Sequence, residues 1–514
     1  MGTDTQSNNK RIAINTILLY GRMLLLMTIS LFTSRINLHS LGVEDFGIYN
    51  VIGGVVAMFS MFSGALSVAI SRNITYELGK GDKERLRKVF SIAVNIQVAL
   101  AIFIVILAEV VGIWFLNNEM VIPEERLNAA NWVMHCSIFT FAINLISVPY
   151  NADIIAHEKM SAFAYISILE ATLKLCIAYF LIISPVDKLI TFAVLLTCVS
   201  LILRMVYGIY CNKHFEETHY HFVYDKTLYE SMLGFAGWSM FGLVAYTGYT
   251  YGLNVLLNIF FGPVVNAARG IAVQVQTAVQ QFAQNFQMAL NPQIIKNYAS
   301  NNLERMHTLI FASSKFCYFM LLMFAVPIII EAPKLLSLWL GIVPEHTVNF
   351  LRLIMLIITF DSLGSSISTA QQATGKIKVY QIVVGGIMLL IVPVAWIWLK
   401  LGGIPENVYI VYFVACILAH ASRMFIIRNM INLSIRKYIL EVMVPIIIVT
   451  ISSLIIPVIV YKSIPDTVLS FFVVCAVSVL SVLVCVYYIG LKRSERTIVN
   501  NKIMQVVIKL KKNG

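Results

Sequence analysis

The chain contains fourteen apolar segments that are each long enough to cross a membrane as an α-helix. A spanning helix needs about 20 residues, because the hydrocarbon layer is about 30 Å thick. Hydrophobic residues make up 59% of the chain and charged residues only 12%, whereas soluble domains carry about 25% charged residues. The sequence therefore predicts an all-α polytopic membrane protein. The segments lie near residues 12–37, 46–69, 89–116, 129–150, 161–183, 189–211, 234–260, 264–291, 307–330, 348–372, 379–399, 406–427, 439–461 and 467–491.

Basic residues concentrate on alternate connections between these segments. With the N-terminus inside, 25 Lys and Arg residues fall in inner segments, five in outer loops and eight within spans. Inner loops of membrane proteins collect Lys and Arg, so both termini are expected to be cytoplasmic. This distribution also explains the net charge of +12 without a nucleic-acid partner.

The loops and motifs argue against an enzyme. The outer loops are no longer than about 17 residues, whereas membrane enzymes generally carry their site on a sizeable loop or domain. The nucleotide-binding pattern G-x-x-x-x-G-K-[ST] is absent from the sequence. None of the eight cysteines forms a C-x-x-C pair, so the sequence indicates neither disulfides nor a metal site. We expect a transporter without a cofactor.

An internal repeat appears at an offset of 220 residues. Gly42 then falls on Gly262, and Glu84-Arg85 falls on Glu304-Arg305. Six spans separate the copies, so both have the same orientation in the membrane. The repeat predicts two six-helix lobes (residues 1–215 and 216–432) that face each other across a cleft. Residues 433–514 would add two further helices and a basic cytoplasmic tail.

The segment that begins after Gly262-Pro263 carries a polar stripe and is predicted to end at Asn291-Pro292. Six polar residues fall within about 90° of one helix face. A stripe along the depth of the bilayer favours a hydrated transport path. The alternative is that these side chains only join helices through hydrogen bonds. The stripe consists of Arg269, Gln276, Gln280, Gln284, Gln287 and Asn291.

Several junction sequences resemble the bacterial polysaccharide flippases of the multidrug/oligosaccharidyl-lipid/polysaccharide (MOP) exporter superfamily. They are LGVEDFGIYNVIGG (41–54), AISRNITYELGKGD (69–82), PYNADIIAHEKMSAFAY (149–165), NIFFGPVVNAARGIAVQV (258–275), PQIIKNYA (292–299) and QQATGKIKVYQ (371–381). The resemblance implies a MATE-like fold of fourteen helices around a basic cavity in the bacterial inner membrane. It also implies an undecaprenyl-diphosphate-linked oligosaccharide as substrate, moved to the outer leaflet by alternating access for O-antigen, capsule or exopolysaccharide assembly.

Two other classes of function remain open beside the flippase. One is a cation-coupled drug antiporter of the same superfamily, whose cavity would need an acidic residue where the first span carries Arg22. The other is a non-transport component of glycan assembly. In the flippase interpretation, a polysaccharide polymerase or chain-length machinery is a further candidate partner beside the lipid bilayer.

An anionic diphosphate moving through a bilayer needs a fixed cation, and arginine stays protonated and binds phosphate with two donors. Arg22 and Arg269 are the main candidates, with Asn15 on the same helix face as Arg22. The alternative is that each arginine is neutralised by a structural carboxylate or extends to the membrane surface. Arg72, at the inner end of span two, is predicted to contact either the diphosphate or lipid phosphates.

Tyr249 and Asn254 in span seven are candidate glycan contacts, because sugars stack on aromatic rings and bond to amides. An aromatic belt at the membrane surface is the alternative interpretation for the tyrosine.

Three carboxylates are candidates for coupling transport to Na⁺ or H⁺. Asp361 is preferred, because it lies well inside span ten among several serines. Asp153 and Glu170 are further candidates. Glu170 is spaced four residues from Lys174, which favours a structural ion pair on one helix.

Overall fold

The computed structural model describes residues 2–57, 60–118, 122–340, 342–465, 467–492 and 495–497. These residues form α-helices joined by turns and short π or 3₁₀ segments. The predicted basic tail beyond residue 497 lies outside the described residues. The first half contains α1 (Gly2–Ala57), α2 (Ser60–Lys80), α3 (Lys83–Leu107), α4 (Ile113–Asn118), α5 (Leu127–Ala156), α6 (Met160–Ile183), α7 (Lys188–His214) and α8 (Lys226–Ala299). The second half contains α9 (Leu303–Ile330), α10 (Ala332–Leu340), α11 (Thr347–Asp361), α12 (Ser365–Thr374), α13 (Lys378–Leu389), α14 (Ile391–Lys400), α15 (Asn407–Ile431), α16 (Ile435–Tyr438), α17 (Val444–Ser463) and α18 (Val468–Cys485).

Ten helical stretches among the described residues are long and apolar enough to span a membrane. They coincide with predicted segments three to six and nine to fourteen. The other four predicted segments lie on α1, α2 and α8. The all-α polytopic fold is confirmed, and the total of fourteen spans stays a prediction.

A single glycine interrupts each of the two longest helices. Gly42 in α1 has φ 80° and ψ 169°, and Gly262 in α8 has φ 79° and ψ −172°. Both conformations belong to a region of backbone space that is essentially restricted to glycine. The two glycines are the pair that the offset of 220 residues matches, so the repeated sequence produces the same break twice.

The helix after Gly262 is longer than its sequence predicts. Its predicted end at Asn291-Pro292 is wrong, because α8 continues to Ala299. Ile294 and Ile295 are buried, and Gln293 and Lys296 bind the carboxylate of Glu158. These contacts stabilise the extra turns, although Pro292 contributes no backbone N–H.

The chain divides into two compact units. Unit 1 contains residues 1–243, 288–302 and 372–378, and unit 2 contains residues 244–287, 303–371 and 379–514. Unit 1 has a core that includes Phe90, Met134 and Ile138. Unit 2 has a separate core that includes Phe350 and Met355. The division at residues 215 and 432 expected from the repeat stays a prediction.

Candidate functional site

Arg269 lies within unit 2 near the start of the part of α8 that follows Gly262, and only 9% of it is exposed. Its Nη2 donates to the carbonyl oxygen of Thr250 at 2.9 Å, and its Nη1 to Oδ1 of Asn254 at 3.4 Å. Its Nε is buried without an acceptor. Among the described residues, no carboxylate lies within salt-bridge distance of Arg269. The guanidinium is therefore oriented by neutral oxygens rather than by a carboxylate.

Arg22 has a similar environment within unit 1. Its Cζ lies 4.3 Å from the centre of the Phe163 ring, which is a cation–π distance. Its Nε is buried and donates to no acceptor in the part of the chain that the structure describes. A carboxylate partner is missing here too, within the described ranges. Among the described residues neither arginine forms a salt bridge, although the Glu170 carboxylate is near enough to Arg22 to attract it electrostatically.

Two of the candidate coupling carboxylates are paired with basic side chains. Asp361 accepts from Nη1 of Arg423 at 3.0 Å, and the Arg423 side chain is only 12% exposed. Lys174 donates to Glu170 at 2.6 Å, which is the local pair that the spacing of four predicts. Arg22 and Arg269 differ from these pairs in having no salt bridge among the described residues, and their role in binding an anion stays a prediction.

The polar stripe of α8 lies on the less buried side of the helix. Val279, Ala283 and Leu290 are buried. The glutamines Gln276, Gln280 and Gln287 are partly buried, Gln284 is exposed, and Asn291 is partly buried. Two weak contacts occur along the stripe, Gln276 Nε2 to Gln280 Oε1 and Gln287 Nε2 to Cys317 Sγ, each at 3.5 Å. Partial exposure fits a hydrated surface, and the role of the stripe as a transport path stays a prediction.

Arg72 is engaged by protein groups within unit 1. Its Nε donates to the carbonyl oxygen of Gln372 at 3.2 Å, and its Nη2 to that of Ala373 at 2.8 Å. Its guanidinium also lies 4.5 Å from the Tyr76 ring. A Cβ on Gly375 would come within 2.9 Å of Nη2, so this glycine makes room for the arginine. Phosphate binding by Arg72 would require these contacts to open.

Asn15 belongs to a second polar network of unit 1. Its Nδ2 donates to the carbonyl oxygen of Glu158 at 3.3 Å. The Glu158 carboxylate receives Gln293 Nε2 and Lys296 Nζ, each at 2.8 Å. The network therefore joins α1, the turn between α5 and α6, and the last turns of α8.

Tyr249 and Asn254 lie on α8 before Gly262, as the sequence predicts, but each already has a partner. The Tyr249 hydroxyl lies 3.0 Å from that of Tyr412, and Asn254 contacts Arg269. Asn254 therefore orients Arg269, whatever contact either residue makes with a glycan.

Residues 12–298, more than half of the chain, match the family model described as polysaccharide biosynthesis protein. The chain belongs to this family. The recognition from junction sequences is thereby confirmed at family level. Among curated proteins, none matches the sequence.

Solved transporters share the fold of this chain. A MATE structure in the bent conformation has a TM-score of 0.73 and 14% identity, covering 83% of this chain and 96% of that chain. An outward-facing multidrug resistance MATE family transporter of the MOP superfamily has a TM-score of 0.69 and 15% identity, with coverage of 81% and 95%. A MOP superfamily transporter from Pyrococcus furiosus, whose title reports a reverse polarity of the binding pocket that suggests a different function, has a TM-score of 0.64 and 14% identity, with coverage of 81% and 95%. At these identities the likeness shows the fold alone.

The sequence missed the partners that define each environment. Phe163 beside Arg22, Thr250 beside Arg269 and Arg423 beside Asp361 are all more than ten residues away along the chain. The sequence offers one signal for the pair of Asp361 with Arg423: span ten carries an acidic residue and span twelve carries a basic one. Periodicity within one helix does not show which faces of two helices meet.

Proposed function

We propose that this protein is a flippase that carries undecaprenyl-diphosphate-linked oligosaccharides from the cytoplasmic to the outer leaflet of the bacterial inner membrane by alternating access. The observation that carries the proposal is the pair of arginines, Arg22 and Arg269, that lack carboxylate partners among the described residues. The glycan would serve assembly of O-antigen, capsule or exopolysaccharide, upstream of a polymerase and chain-length machinery.

The physical argument concerns the cost of unpaired charge. Placing an arginine at the centre of a membrane helix costs about 2.5–3.5 kcal/mol even on insertion scales. A protein retains such a charge when something offsets the cost, and a diphosphate brings about two negative charges. Arginine suits this task because its planar fork donates two parallel hydrogen bonds to phosphate oxygens.

The same observation disfavours the antiporter of cationic drugs. A cationic substrate near Arg22 or Arg269 would meet a like charge, whereas the carboxylates Asp361 and Glu170 are already paired with basic side chains. The Pyrococcus furiosus transporter, whose title describes a pocket of reversed polarity, is a precedent for different pocket charges on this fold.

In this mechanism Arg22 and Arg269 bind the diphosphate, and the α8 glutamines, Asn15, Asn291, Tyr249 and Asn254 offer amides and a ring to the glycan. Arg72 would join once it leaves the carbonyl oxygens of Gln372 and Ala373. Coupling to Na⁺ or H⁺ is assigned to Asp361, because neutralising its charge would release the buried Arg423.

The test compares surface glycan with membrane-inserted protein in a strain whose own flippase gene is replaced by each variant. Arg22→Ala and Arg269→Ala should each lose most surface glycan at normal protein level, since truncating a charge-assisted contact typically costs about two orders of magnitude in binding. Arg→Lys at either position should recover part of the activity, because a point charge replaces the fork.

Arg436→Ala is the matched control, because Arg436 is an exposed arginine on α16. It should leave surface glycan unchanged. Normal glycan from a well-inserted Arg22→Ala, Arg269→Ala double variant would contradict the proposal. Export of cationic dyes by the same strain, abolished by these substitutions, would support the antiporter instead.

A further inference from the structure

Three potential metal ligands meet at the C-terminal end of α5, away from the arginines described above. Asp153 and His157 are four residues apart and so lie on one face of the helix end. Glu217 comes from the 3₁₀ turn Glu216–Thr218 that follows α7. One donor atom from each side chain lies within 4.8 Å of the other two. All three residues belong to unit 1.

The geometry around His157 is already ordered. Its Nε2 lies 2.5 Å from Oε1 of Glu217 and 3.9 Å from Oδ1 of Asp153. Its ring stacks on Phe215, with centroids 4.1 Å apart and an interplanar angle of 11°. The turn that carries Glu217 is held by a hydrogen bond from Thr218 Oγ1 to the carbonyl oxygen of Phe215 at 2.9 Å. The His157 ring and the Glu217 carboxylate are therefore held in place by contacts within the protein.

The environment of Asp153 also points to a ligand at this place. Its exposed fraction is 0%, and both carboxylate oxygens lack a hydrogen-bond partner. A buried carboxylate whose two oxygens both lack a hydrogen-bond partner is costly. His157 can offset one negative charge at most, and its Nε2 is already bonded to Glu217. Both Asp153 oxygens are therefore buried ligand atoms without a partner, and a cation bound between them and the other two side chains would supply one.

We propose that Asp153, His157 and Glu217 bind a divalent transition-metal ion of the zinc class. An imidazole nitrogen with two carboxylate oxygens is a ligand set that Zn²⁺ accepts, whereas Mg²⁺ and Ca²⁺ prefer oxygen ligands alone. The prediction of no metal site rested on the cysteines, and this set contains none.

The distances from His157 to Asp153 and to Glu217 fit a bound zinc ion after a small adjustment. Zinc ligands at about 2.0–2.2 Å in tetrahedral geometry lie about 3.4 Å from each other. The present separations of 2.5 Å and 3.9 Å lie on either side of that value. Binding therefore opens the His157–Glu217 pair and draws in Asp153. The bound ion ties the end of α5 to the segment between α7 and α8.

The experiment uses the full chain, purified in detergent, with its affinity tag removed and treated with a chelator. Zinc content, zinc affinity by competition with a chromophoric chelator, and the apparent melting temperature with and without Zn²⁺ are measured. Wild-type protein should bind one Zn²⁺ and melt at a higher temperature with it. His157→Gln and Glu217→Gln should weaken binding at least tenfold. Glu216→Gln is the matched control, because Glu216 is 83% exposed and pairs with Lys83.

Asp153→Asn has a signature that a merely structural carboxylate would not show. It replaces a buried carboxylate whose two oxygens lack partners, so the metal-free variant should melt at or above the temperature of the metal-free wild type. It should also lose the rise in melting temperature with Zn²⁺. If Asp153→Asn does not accumulate, His157→Gln and Glu217→Gln carry the test.

Three results would overturn the inference. The first is equal zinc binding by Glu216→Gln and by the three ligand variants. The second is stabilisation by Na⁺ or Mg²⁺ that equals or exceeds that by Zn²⁺. The third is the absence of zinc binding by the wild type. None of these measurements requires transport, so they leave the proposed flippase activity unaffected.

Discussion

Replacing Gly262 with alanine tests whether the break in α8 is required by its backbone conformation. At φ 79° and ψ −172°, an alanine meets a region that costs residues with a Cβ about 1–3 kcal/mol. A Cβ at this position would contact no atom within 4 Å, so crowding adds nothing to the cost. The whole effect should therefore come from backbone strain.

Gly270 offers a matched control eight residues along the same helix. A Cβ there would also contact nothing within 4 Å, but its backbone is helical. Alanine is favoured over glycine in a helix by about 0.8–1.0 kcal/mol. Gly270→Ala should therefore leave stability unchanged or raise it, and the two substitutions should differ by about 2–4 kcal/mol.

The assay is thermal unfolding of the purified protein, followed by the fluorescence of its six tryptophans. Gly262→Ala should lower the apparent melting temperature and Gly270→Ala should not. Gly42→Ala in α1 should behave like Gly262→Ala, because its φ and ψ are nearly the same. Shifts of equal size and sign for Gly262→Ala and Gly270→Ala would refute the reasoning.

Two further predictions concern paired charges. Asp361→Asn should leave Arg423 without its counter-ion and lower stability, but by less than the roughly 3–5 kcal/mol typical of a fully buried pair, because the Asp361 side chain is 37% exposed. Adding Arg423→Gln should recover the melting temperature but not any dependence of transport on pH or sodium; a dependence unchanged in Asp361→Asn would contradict the coupling role. Near the start of α15, burial raises the pKa of Glu406, but hydrogen bonds from Asn349 and His346 outweigh it and hold the pKa below its usual 4.5. Folding therefore favours the ionised form of Glu406, so the melting temperature should fall as the pH drops below about 4.5. The fall should be smaller in Glu406→Gln. A fall of equal size in the wild type and in Glu406→Gln would contradict this prediction.

Much of the fold could be predicted because each membrane-spanning helix must be apolar over about 20 residues. The predicted span 161–183 corresponds to Met160–Ile183, and 189–211 to Lys188–His214. Aspartate often marks a boundary, as at Asp187, whose carboxylate accepts from the N–H of Leu189 and of Ile190. The end of α8 was misjudged because contacts with Glu158, more than 130 residues away, outweigh a local proline signal.

At the candidate site, too, contacts within one helix could be predicted and contacts between distant segments could not. Glu170 and Lys174 pair as their spacing predicts, since both lie on one helix. The pairing of Asp361 with Arg423 depends on two helices meeting, and a Cβ on Gly364 would come within 2.0 Å of the arginine Nη1. A glycine that makes room for a distant side chain leaves no pattern in its own segment.

The arrangement of charge also bears on how an anionic substrate could be released. An arginine paired with a carboxylate can bind phosphate only if the pair breaks, and breaking a buried pair is costly. Arg269 is held by a carbonyl oxygen and an amide oxygen, and Arg22 by the face of a ring. Such neutral contacts orient the guanidinium without pairing it with a carboxylate, so in the proposed flippase a diphosphate would displace no counter-ion. They also remain when the diphosphate leaves, so neither arginine is left without any contact between substrates.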